Sequence, residues 1–491
     1  MVFDIRTEPW IPVRTLTGKS LMMGLKELLE KAHELQNIDG VTPMETYSVY
    51  RFLTVFLMDV YRPETWDDKE GILSDGCFEL RKIEAYIDKC ERAGVCFDIF
   101  DKDRPFMQAP PDAALDSAKN IKYVASLDST RASGNNAIHF DHNLESDASF
   151  SPAEAFRGVL TAQIFCTAMS GGYPSGVNGA PPLYFLPKGN NLFETLVLSL
   201  DTIDEENMGE PLWSSKREII PKEEVTKTTQ LYGMFFPSRR IRLIEQDGAV
   251  RQMYYQPGLN FTGYASWNDP HVAYRRGKDD SFASIKPSLD KEPWRNIKTI
   301  GEDYENGSVP AVIADYKQIQ EERDLVDMPV QMFGVITNNA AYLDTQSGMM
   351  RLDTRIIGEE KKRKYATQYI DLAESIGYVL SKQLKNIISP DKSERGVNEA
   401  SQYVHRFYMK CEDNFYKIME SLATSDGIET ENILLKRWKE ELKKIVINIV
   451  QEVEKNYCYQ AKDLIRAQQY ERMLIGSVNK IIKGGKNDGE G

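Results

Sequence analysis

The chain has 491 residues, enough for about three average domains, and 41% of them are hydrophobic, which is ample for a sizeable core. No apolar run approaches the roughly 18 residues that a membrane-spanning helix needs, and the opening MVFDIRTEPWIPV lacks the pattern of a signal peptide, so we expect a cytoplasmic protein with no membrane partner. The net charge of -13 argues against a protein that grips nucleic acid alone, because phosphate neutralisation supplies most non-specific affinity.

Up to about residue 360 the chain mixes short strand-like runs with helix-like runs and frequent loops. The segment METYSVYRFLTVFLMDVYR predicts a buried helix, because its apolar residues recur at helical spacing. The segment RRIRLIEQDGAVRQMYYQ predicts two strands around an Asp-Gly turn, because apolar residues alternate on both sides of that turn. These patterns are carried by Tyr50, Leu53, Phe56, Leu57 and Val60 in the helix, and by Ile241, Leu243, Met253 and Tyr255 in the strands. Mixed elements in this order indicate a large α+β domain over residues 1–360.

From about residue 366 the pattern changes to long helical periods. The four stripes are Leu372, Ile376, Leu380, Leu384 and Ile387; Val404, Phe407, Cys411, Phe415, Ile418 and Leu422; Leu435, Trp438, Leu442, Ile445, Ile449 and Val453; and Leu474, Val478 and Ile482. The segments SPDKSERG and TSDGIET supply the first two breaks, but NYCYQAKD has neither glycine nor proline, so one long helix there stays open. We expect an all-α four-helix bundle over residues 361–485 and a disordered tail over residues 486–491.

The basic run EEKKRK, Glu359–Lys364, lies just before the predicted bundle. A solvated linker with a first helical turn is the favoured interpretation of this run, and a phosphate contact is the alternative. The six cysteines of the chain form no CxxC pair, so we expect buried free thiols and neither a zinc site nor a redox motif.

The segment HFDH offers three metal ligands in His139, Asp141 and His142, and a metal-dependent nuclease built on them is one alternative function. Three such residues in a loop rich in Asn and Ser are more often an ordinary polar loop. The pair Asp101 and Asp103 is explained by an Asp-capped turn as well as by a divalent ion. Composition and spacing therefore indicate no catalytic constellation, and we expect neither a metal nor a cofactor.

The stretch SGGYPSGVNGAPP, residues 170–182, follows the apolar run VLTAQIFCTAM and holds four glycines and three prolines. It lacks the lysine of a phosphate-binding loop, so an ATPase is not indicated. Glycine content alone leaves both a surface turn and a ligand-facing backbone open. Further along, MPVQMFGV predicts a strand, and the following ITNNAAY predicts a polar loop whose Asn side chains form turns or contact base edges.

Several segments, taken in order, resemble the large subunit of type I-E CRISPR Cascade, the CasA family. The segments are FDIRTEPWIPV at 3–13, DRPFMQ at 103–108, ASGNNAIHFDH at 132–142, GGYPSGVNGAPP at 171–182, WNDPHVAYR at 267–275 and the Asn-Asn turn at 338–339. Each motif is weak alone, and the ordered set spans the whole chain, bundle included.

The resemblance implies a non-catalytic recognition subunit in a complex guided by CRISPR RNA. Its N-terminal domain would inspect the protospacer-adjacent motif (PAM) of target double-stranded DNA, chiefly through the minor groove, and begin unwinding beside it. The bundle would pack on the small subunits and help hold the DNA, while basic backbone subunits would supply most phosphate contacts. A handle-binding subunit is a further implied partner. Recruitment of a helicase-nuclease effector is also implied. A purely structural scaffold is the remaining alternative.

The resemblance also assigns residues to these roles. Gly171 and Gly172 would bring their backbone to the motif, since a side chain there would collide with the groove wall. Asn338 and Asn339 would offer hydrogen bonds to a base edge or a phosphate. Ala340 stands where studied members of the family have a wedge glutamine, so strand separation would use another residue.

A second set of matching residues lies in the loop at 132–142. There, Asn135, Asn136 and Phe140 match the positions that contact the 5′ handle of the guide RNA and the neighbouring subunit. The family's groove-reading lysine is missing from QPGLNFTGYAS, upstream of Trp267. Arg275, Arg276 and Lys278 lie nearby in sequence, and the zinc-binding cysteines of some members are absent.

Overall fold

The computed structural model describes residues 1–128, 130–131, 145–276, 282–288, 291–301, 307–315, 327–338, 341–390 and 393–484. The chain divides into two compact units. The first comprises Met1–Leu289, Tyr304–Arg323 and Pro329–Met349, and the second comprises Asp290–Asp303, Asp324–Met328 and Met350–Gly491. The domain division at residues 360 and 361 stays a prediction.

Small sheets and short helices alternate in the first part of the chain. Its strands are β1 (Ile11–Thr15), β2 (Ser20–Met23), β3 (Leu35–Ile38), β4 (Ile121–Tyr123), β5 (Tyr184–Pro187), β6 (Glu224–Val225), β7 (Arg239–Gln246), β8 (Ala249–Pro257), β9 (Asn260–Phe261), β10 (Tyr274–Arg276), β11 (Phe282–Ser284), β12 (Gly307–Ser308), β13 (Asp327–Asn338) and β14 (Ala341–Asp353). Its helices are α1 (Leu25–Lys31), α2 (Pro43–Tyr61), α3 (Trp66–Asp75), α4 (Leu80–Arg92), α5 (Pro152–Ile164), α6 (Leu192–Leu198), α7 (Glu205–Met208) and α8 (Gln230–Met234). The strand orders are β2-β1-β3, β4-β8-β7, β14-β13-β5 and β11-β10-β12, with a separate β6-β9 pair.

Helix α2 is the central buried helix of the first unit, as its periodicity predicts. The Thr42 side chain caps it by accepting a hydrogen bond from the Glu45 backbone N–H at 3.1 Å, and Pro43 occupies the first turn, where its missing N–H costs nothing. It ends at Arg62, whose φ of 47° breaks the helical path. Within it, Phe52 and Phe56 are fully buried.

The predicted hairpin is also confirmed. Strands β7 and β8 pair antiparallel around Asp247 and Gly248, whose φ angles of 55° and 80° are those of the tight turn that matches strand twist. Ile241, Leu243 and Met253 are buried, as their alternation predicts. The mixed α+β class is therefore confirmed for this part of the chain.

The second unit contains α9 (Ile297–Gly301), α10 (Thr354–Ile357) and four long helices: α11 (Glu360–Ile388), α12 (Glu394–Ala423), α13 (Ile428–Tyr457) and α14 (Ala461–Ile482). The predicted helical C-terminal region is confirmed, and the break left open within NYCYQAKD is real, because α13 ends at Tyr457. Leu434 rather than Leu435 is the buried start of the third stripe. Within this third stripe, the Trp438 indole N–H donates a hydrogen bond to the Tyr369 carbonyl of α11 at 2.9 Å.

The basic run belongs to the start of α11, so the predicted first helical turn is confirmed, whereas the predicted solvation is wrong for Lys362. The phosphate contact stays a prediction. Lys362 is buried and donates to the Ala423 carbonyl at 2.9 Å, and Lys361 pairs with Glu431 at 2.6 Å. The expectation of buried thiols is wrong for Cys77, which is exposed. The tail at 486–491 lies outside the described residues. Within the part of the chain that is described, no helix is both long enough and apolar enough to cross a bilayer.

A polar network lies at the heart of the first unit. Arg51 of α2 makes a bidentate ion pair with Asp269, with both N–O distances at 2.7 Å, and both side chains are almost fully buried. Tyr47 accepts from Arg51 at 3.0 Å and lies 2.8 Å from Nδ1 of His271. Nε2 of His271 lies 2.9 Å from the Ser199 carbonyl. These partners assign the proton to Nε2, with Nδ1 accepting from the Tyr47 hydroxyl.

Burial, together with the nearby Arg51 guanidinium, lowers the pKa of His271 to about 4 from the ordinary 6.5. Between these values the unfolded chain binds the extra proton, so the free energy of unfolding falls as the pH is lowered from about 6.5 to about 4. Burial raises the pKa of the nearby Asp201 to about 7, so that carboxyl contributes in the opposite direction over this range.

We therefore predict that the stability difference between the wild type and His271→Gln depends on pH. The gap in unfolding free energy should shrink by roughly 3 kcal/mol between pH 7 and pH 4, because the variant has no imidazole to protonate. Urea unfolding across this range measures it, with the exposed His33→Gln as the control. A gap that does not change with pH would contradict the assignment.

Candidate functional site

The glycine-rich stretch forms two tight turns after α5. The first is closed by Met169 and Tyr173, which pair antiparallel with an N–O distance of 3.2 Å, and it exposes Gly171 and Gly172 at its tip. These glycines have φ angles of +83° and +77°, a region that side chains disfavour. The tip, which we call the glycine turn (residues 169–173), therefore presents bare backbone to its surroundings.

A buried arginine holds the glycine turn from below. The Arg239 guanidinium donates to the carbonyls of Thr167 and Pro174, both at 2.6 Å, and to the Tyr255 hydroxyl at 3.0 Å. Only 1% of Arg239 is exposed, and within the described ranges it has no carboxylate partner. The guanidinium therefore binds backbone carbonyls on both sides of the turn. These hydrogen bonds tie the turn to the β7–β8 hairpin.

The second turn connects the same stretch to the buried network. Gly179 has a φ of +70°, and the Asn178 side chain donates to Asp269 at 2.9 Å while accepting from Tyr274 at 3.2 Å. Lys286 donates to the carbonyls of Asn178 and Ala180 from the outer side. The loop is thus held at both ends, and its glycines sit in a defined conformation rather than in a free linker.

A lysine that the sequence did not single out lies on the glycine turn. Lys222 is exposed, has a left-handed φ of 66°, and donates from Nζ to the Gly171 carbonyl at 2.9 Å. A Cβ at Gly172 would lie only 2.6 Å from that Nζ. A second cation, Lys122, stands over the Tyr173 ring at 4.8 Å. Two lysines therefore lie beside the exposed backbone.

Lys222 had no signal in the sequence. It lies in the segment IIPKEEV, which has no motif, and it is 51 residues from Gly171 in the chain. The lysine expected just before Trp267 is absent, and the structure instead brings a lysine from another segment to the glycine turn.

The second predicted contact region is the tip of the β13–β14 hairpin. Strand β13 continues to Asn338 and β14 begins at Ala341, so the polar loop predicted over Ile336–Tyr342 is wrong in extent: most of it is strand. Asn338 is the last residue of β13. Asn339 and Ala340 lie outside the described residues.

The remaining predicted residues lie either on β10 or outside the described residues. Asn135, Asn136, Phe140 and the metal-ligand candidates His139, Asp141 and His142 lie outside the described residues. Arg275 and Arg276 are exposed on β10, and Lys278 lies outside the described residues.

The acidic pair at Asp101 and Asp103 is a turn. Oδ1 of Asp101 accepts from the backbone N–H groups of Asp103 at 3.0 Å and Arg104 at 2.7 Å. These hydrogen bonds lower the pKa of Asp101. Across the described ranges no group of three or more His, Cys, Asp or Glu side chains is arranged to hold a metal ion.

Comparison with known proteins identifies the family to which the chain is similar. Residues 4–449 match the family model described as CRISPR-associated protein Cse1. A CRISPR-associated protein CasA/Cse1 from Thermus thermophilus is 26% identical over 418 residues, which cover 80% of this chain and 79% of that protein.

Two of the solved structures that share the fold illustrate the similarity. The crystal structure of Thermus thermophilus CasA superposes with a TM-score of 0.79 at 21% identity, covering 97% of this chain and 99% of that one. A chain of a CRISPR RNA-guided surveillance complex superposes with a TM-score of 0.77 at 19% identity, covering 96% and 99%. The family match spans most of the sequence and agrees with the ordered motifs: the chain belongs to the CRISPR-associated Cse1 family, also called CasA, the large subunit of Cascade.

Proposed function

We propose that this chain serves a type I-E CRISPR RNA-guided surveillance complex as the subunit that recognises the PAM in duplex DNA. It reads the motif largely through the minor groove, promotes strand separation and R-loop formation, and recruits the helicase-nuclease effector. Its partners are the guide RNA with its 5′ handle, the target DNA and the other Cascade subunits, and it performs no chemical step itself. Family membership and the similarity to a surveillance-complex chain support this proposal.

The observation that carries the proposal is the exposed pair Gly171 and Gly172. The minor groove is about 6 Å wide, so a wall of side chains cannot enter it, whereas backbone without Cβ atoms can approach its edges. Both glycines lie at the tip of a turn anchored by Arg239. A rigid turn without side chains detects a groove of suitable width and a few hydrogen-bond acceptors. Because several base sequences share these features, the subunit would tolerate several motifs.

The distribution of charge fits this role. The chain as a whole carries a net charge of -13, but Lys222 and Lys122 place positive charge at the glycine turn. Binding by this subunit is therefore local, and the basic partner subunits supply the long-range attraction. We propose that Lys222 replaces the groove-reading lysine that is missing before Trp267.

The hairpin tip has a different task in this proposal. Asn338 and Asn339 contact a base edge or a phosphate, and Ala340 leaves strand separation to another residue. Asn135, Asn136 and Phe140 meet the guide handle and the neighbouring subunit. The nuclease alternative would gain support from metal-stimulated DNA cleavage by the purified chain that is lost in His142→Ala.

We predict that Gly171→Asp weakens target binding by the reconstituted complex by roughly tenfold or more, because a carboxylate at the tip repels phosphate and blocks close approach. Electrophoretic mobility shift with a guide-matched duplex measures the effect. Gly18→Asp is the matched control, since Gly18 also has a positive φ of 84° in an exposed turn with nothing within 4 Å of a Cβ. It carries the same charge change and backbone strain. Equal binding by the two variants would favour a scaffold.

We predict that Lys222→Ala lowers target affinity and reduces the slope of log K against log salt by about 1, as expected when one cation that releases a DNA counterion is lost. Affinities measured over a salt series in the reconstituted complex test this. Lys19→Ala removes an exposed lysine elsewhere and should leave the slope unchanged. An unchanged slope in Lys222→Ala would remove the lysine from the interface while leaving the role of the glycines standing.

A further inference from the structure

The first unit contains a cavity of about 410 Å³ that the glycine turn does not use. One wall is the segment 104–112, which includes the DRPFMQ motif, and another is the segment 212–219. Arg239 and Arg240 of β7 also line it. Cavities of this size accommodate a small organic ligand, and the sequence motif in its wall has no role in the function proposed above.

The cavity is strongly cationic within an acidic chain. Five Arg and Lys side chains line it, against the two carboxylates of Asp112 and Glu218. Asp112 is already paired with Arg240. Within the described part of the chain, Arg104 and Lys216 have no ion-pair partner, and both are exposed at the cavity wall. Arg217 pairs with Glu223 at 3.4 Å, and Arg239 and Arg240 already have protein partners. The positive charge available to an anionic ligand is therefore that of Arg104 and Lys216.

The wall that carries the motif is rigidly built. The Gln108 side chain donates to the Ile99 carbonyl at 2.7 Å and accepts from the Leu243 N–H at 2.8 Å, which fastens the segment to β7. Beside it, Met107 is buried and has a left-handed φ of 58°. A non-glycine residue held in this region marks a position where the surroundings impose the conformation, and such positions cluster at functional sites.

Arg240 adds a further observation. Its side chain is 7% exposed, and it donates to Gln256 at 2.8 Å and to Asp112. Its Nε is buried and, among the described residues, has no acceptor. Arg240 is therefore a fixed part of the wall, and the exposed Arg104 and Lys216 are the cations that a ligand in the cavity would meet.

The cavity also has an apolar part, formed by Phe106, Pro110, Pro111 and Leu212. Guanidinium groups beside apolar and proline surfaces suit a flat ring attached to a phosphate, because the ring is desolvated while the phosphate meets the cations. We propose that this cavity binds one nucleotide unit through its phosphate and its base. The source of that unit is a single-stranded nucleic acid segment or a free nucleotide, which share this chemistry.

The test uses the isolated full chain and a fluorescently labelled four-nucleotide single-stranded RNA, with binding followed by anisotropy. This probe contains neither a PAM nor a guide handle, so its result does not depend on the function of the glycine turn. Arg104→Ala/Lys216→Ala should lower affinity by about tenfold, because two charged contacts are lost. Glu218→Gln should raise it severalfold, because a repelling carboxylate is removed. Lys19→Ala/Lys462→Ala changes the net charge equally and should have no effect.

Competition separates the two sources. A mononucleotide that displaces the probe at an equal concentration per site would assign a free nucleotide, and one that is much weaker than the tetranucleotide would assign a strand. Absence of probe binding, an equal loss in the control double variant, or no gain in Glu218→Gln would overturn the proposal. So would inorganic phosphate or an acidic peptide that competes as well as the nucleotide.

Discussion

The buried ion pair between Arg51 and Asp269 is the interaction on which the first unit depends. Each partner is almost fully removed from water, so each requires the other, and loss of one would leave an uncompensated charge in the core. Arg51 also donates to the Met234 carbonyl at 2.9 Å, while Asp269 accepts from Asn178. The pair therefore joins the central helix, the end of α8 and the second turn of the glycine stretch in one hydrogen-bonded network.

This network and the buried Arg239 together give the glycine stretch a defined shape despite its composition. Arg239 holds the first turn through two carbonyls, and Asn178 holds the second through Asp269. Fixing the loop before any partner binds lowers the entropic cost of association. In this fixed turn the glycines present their backbone to a partner at close range and always in the same conformation, which a flexible loop does not. The same chain keeps positive charge at this tip while remaining acidic overall, which matches a subunit that acts within a larger assembly.

Much of the fold could be predicted from the sequence, because helices and hairpins follow local patterns. The periodicity around Phe56 predicted α2, the Asp-Gly turn predicted the β7–β8 hairpin, and the apolar stripes predicted the long helices. The site was harder to predict from the sequence, because it depends on contacts between segments that are distant in the chain. Lys222 meets Gly171 across 51 residues, and the carbonyl partners of Arg239 have no side-chain pattern. The hairpin at Asn338 was mistaken for a longer loop because Asn residues favour turns in isolation, whereas strand pairing carries the chain further.

The central claim is that the glycine turn lies against DNA beside the target sequence. Its most direct test places a benzophenone amino acid at the position of Met169, an exposed flank of the turn, in a reconstituted guide-loaded complex bound to target duplex. Irradiation should crosslink this position to nucleotides of the PAM, while the same amino acid at Thr17 should give no such product. Crosslinks confined to guide RNA or to a neighbouring subunit, in a complex that still binds its target, would contradict the account.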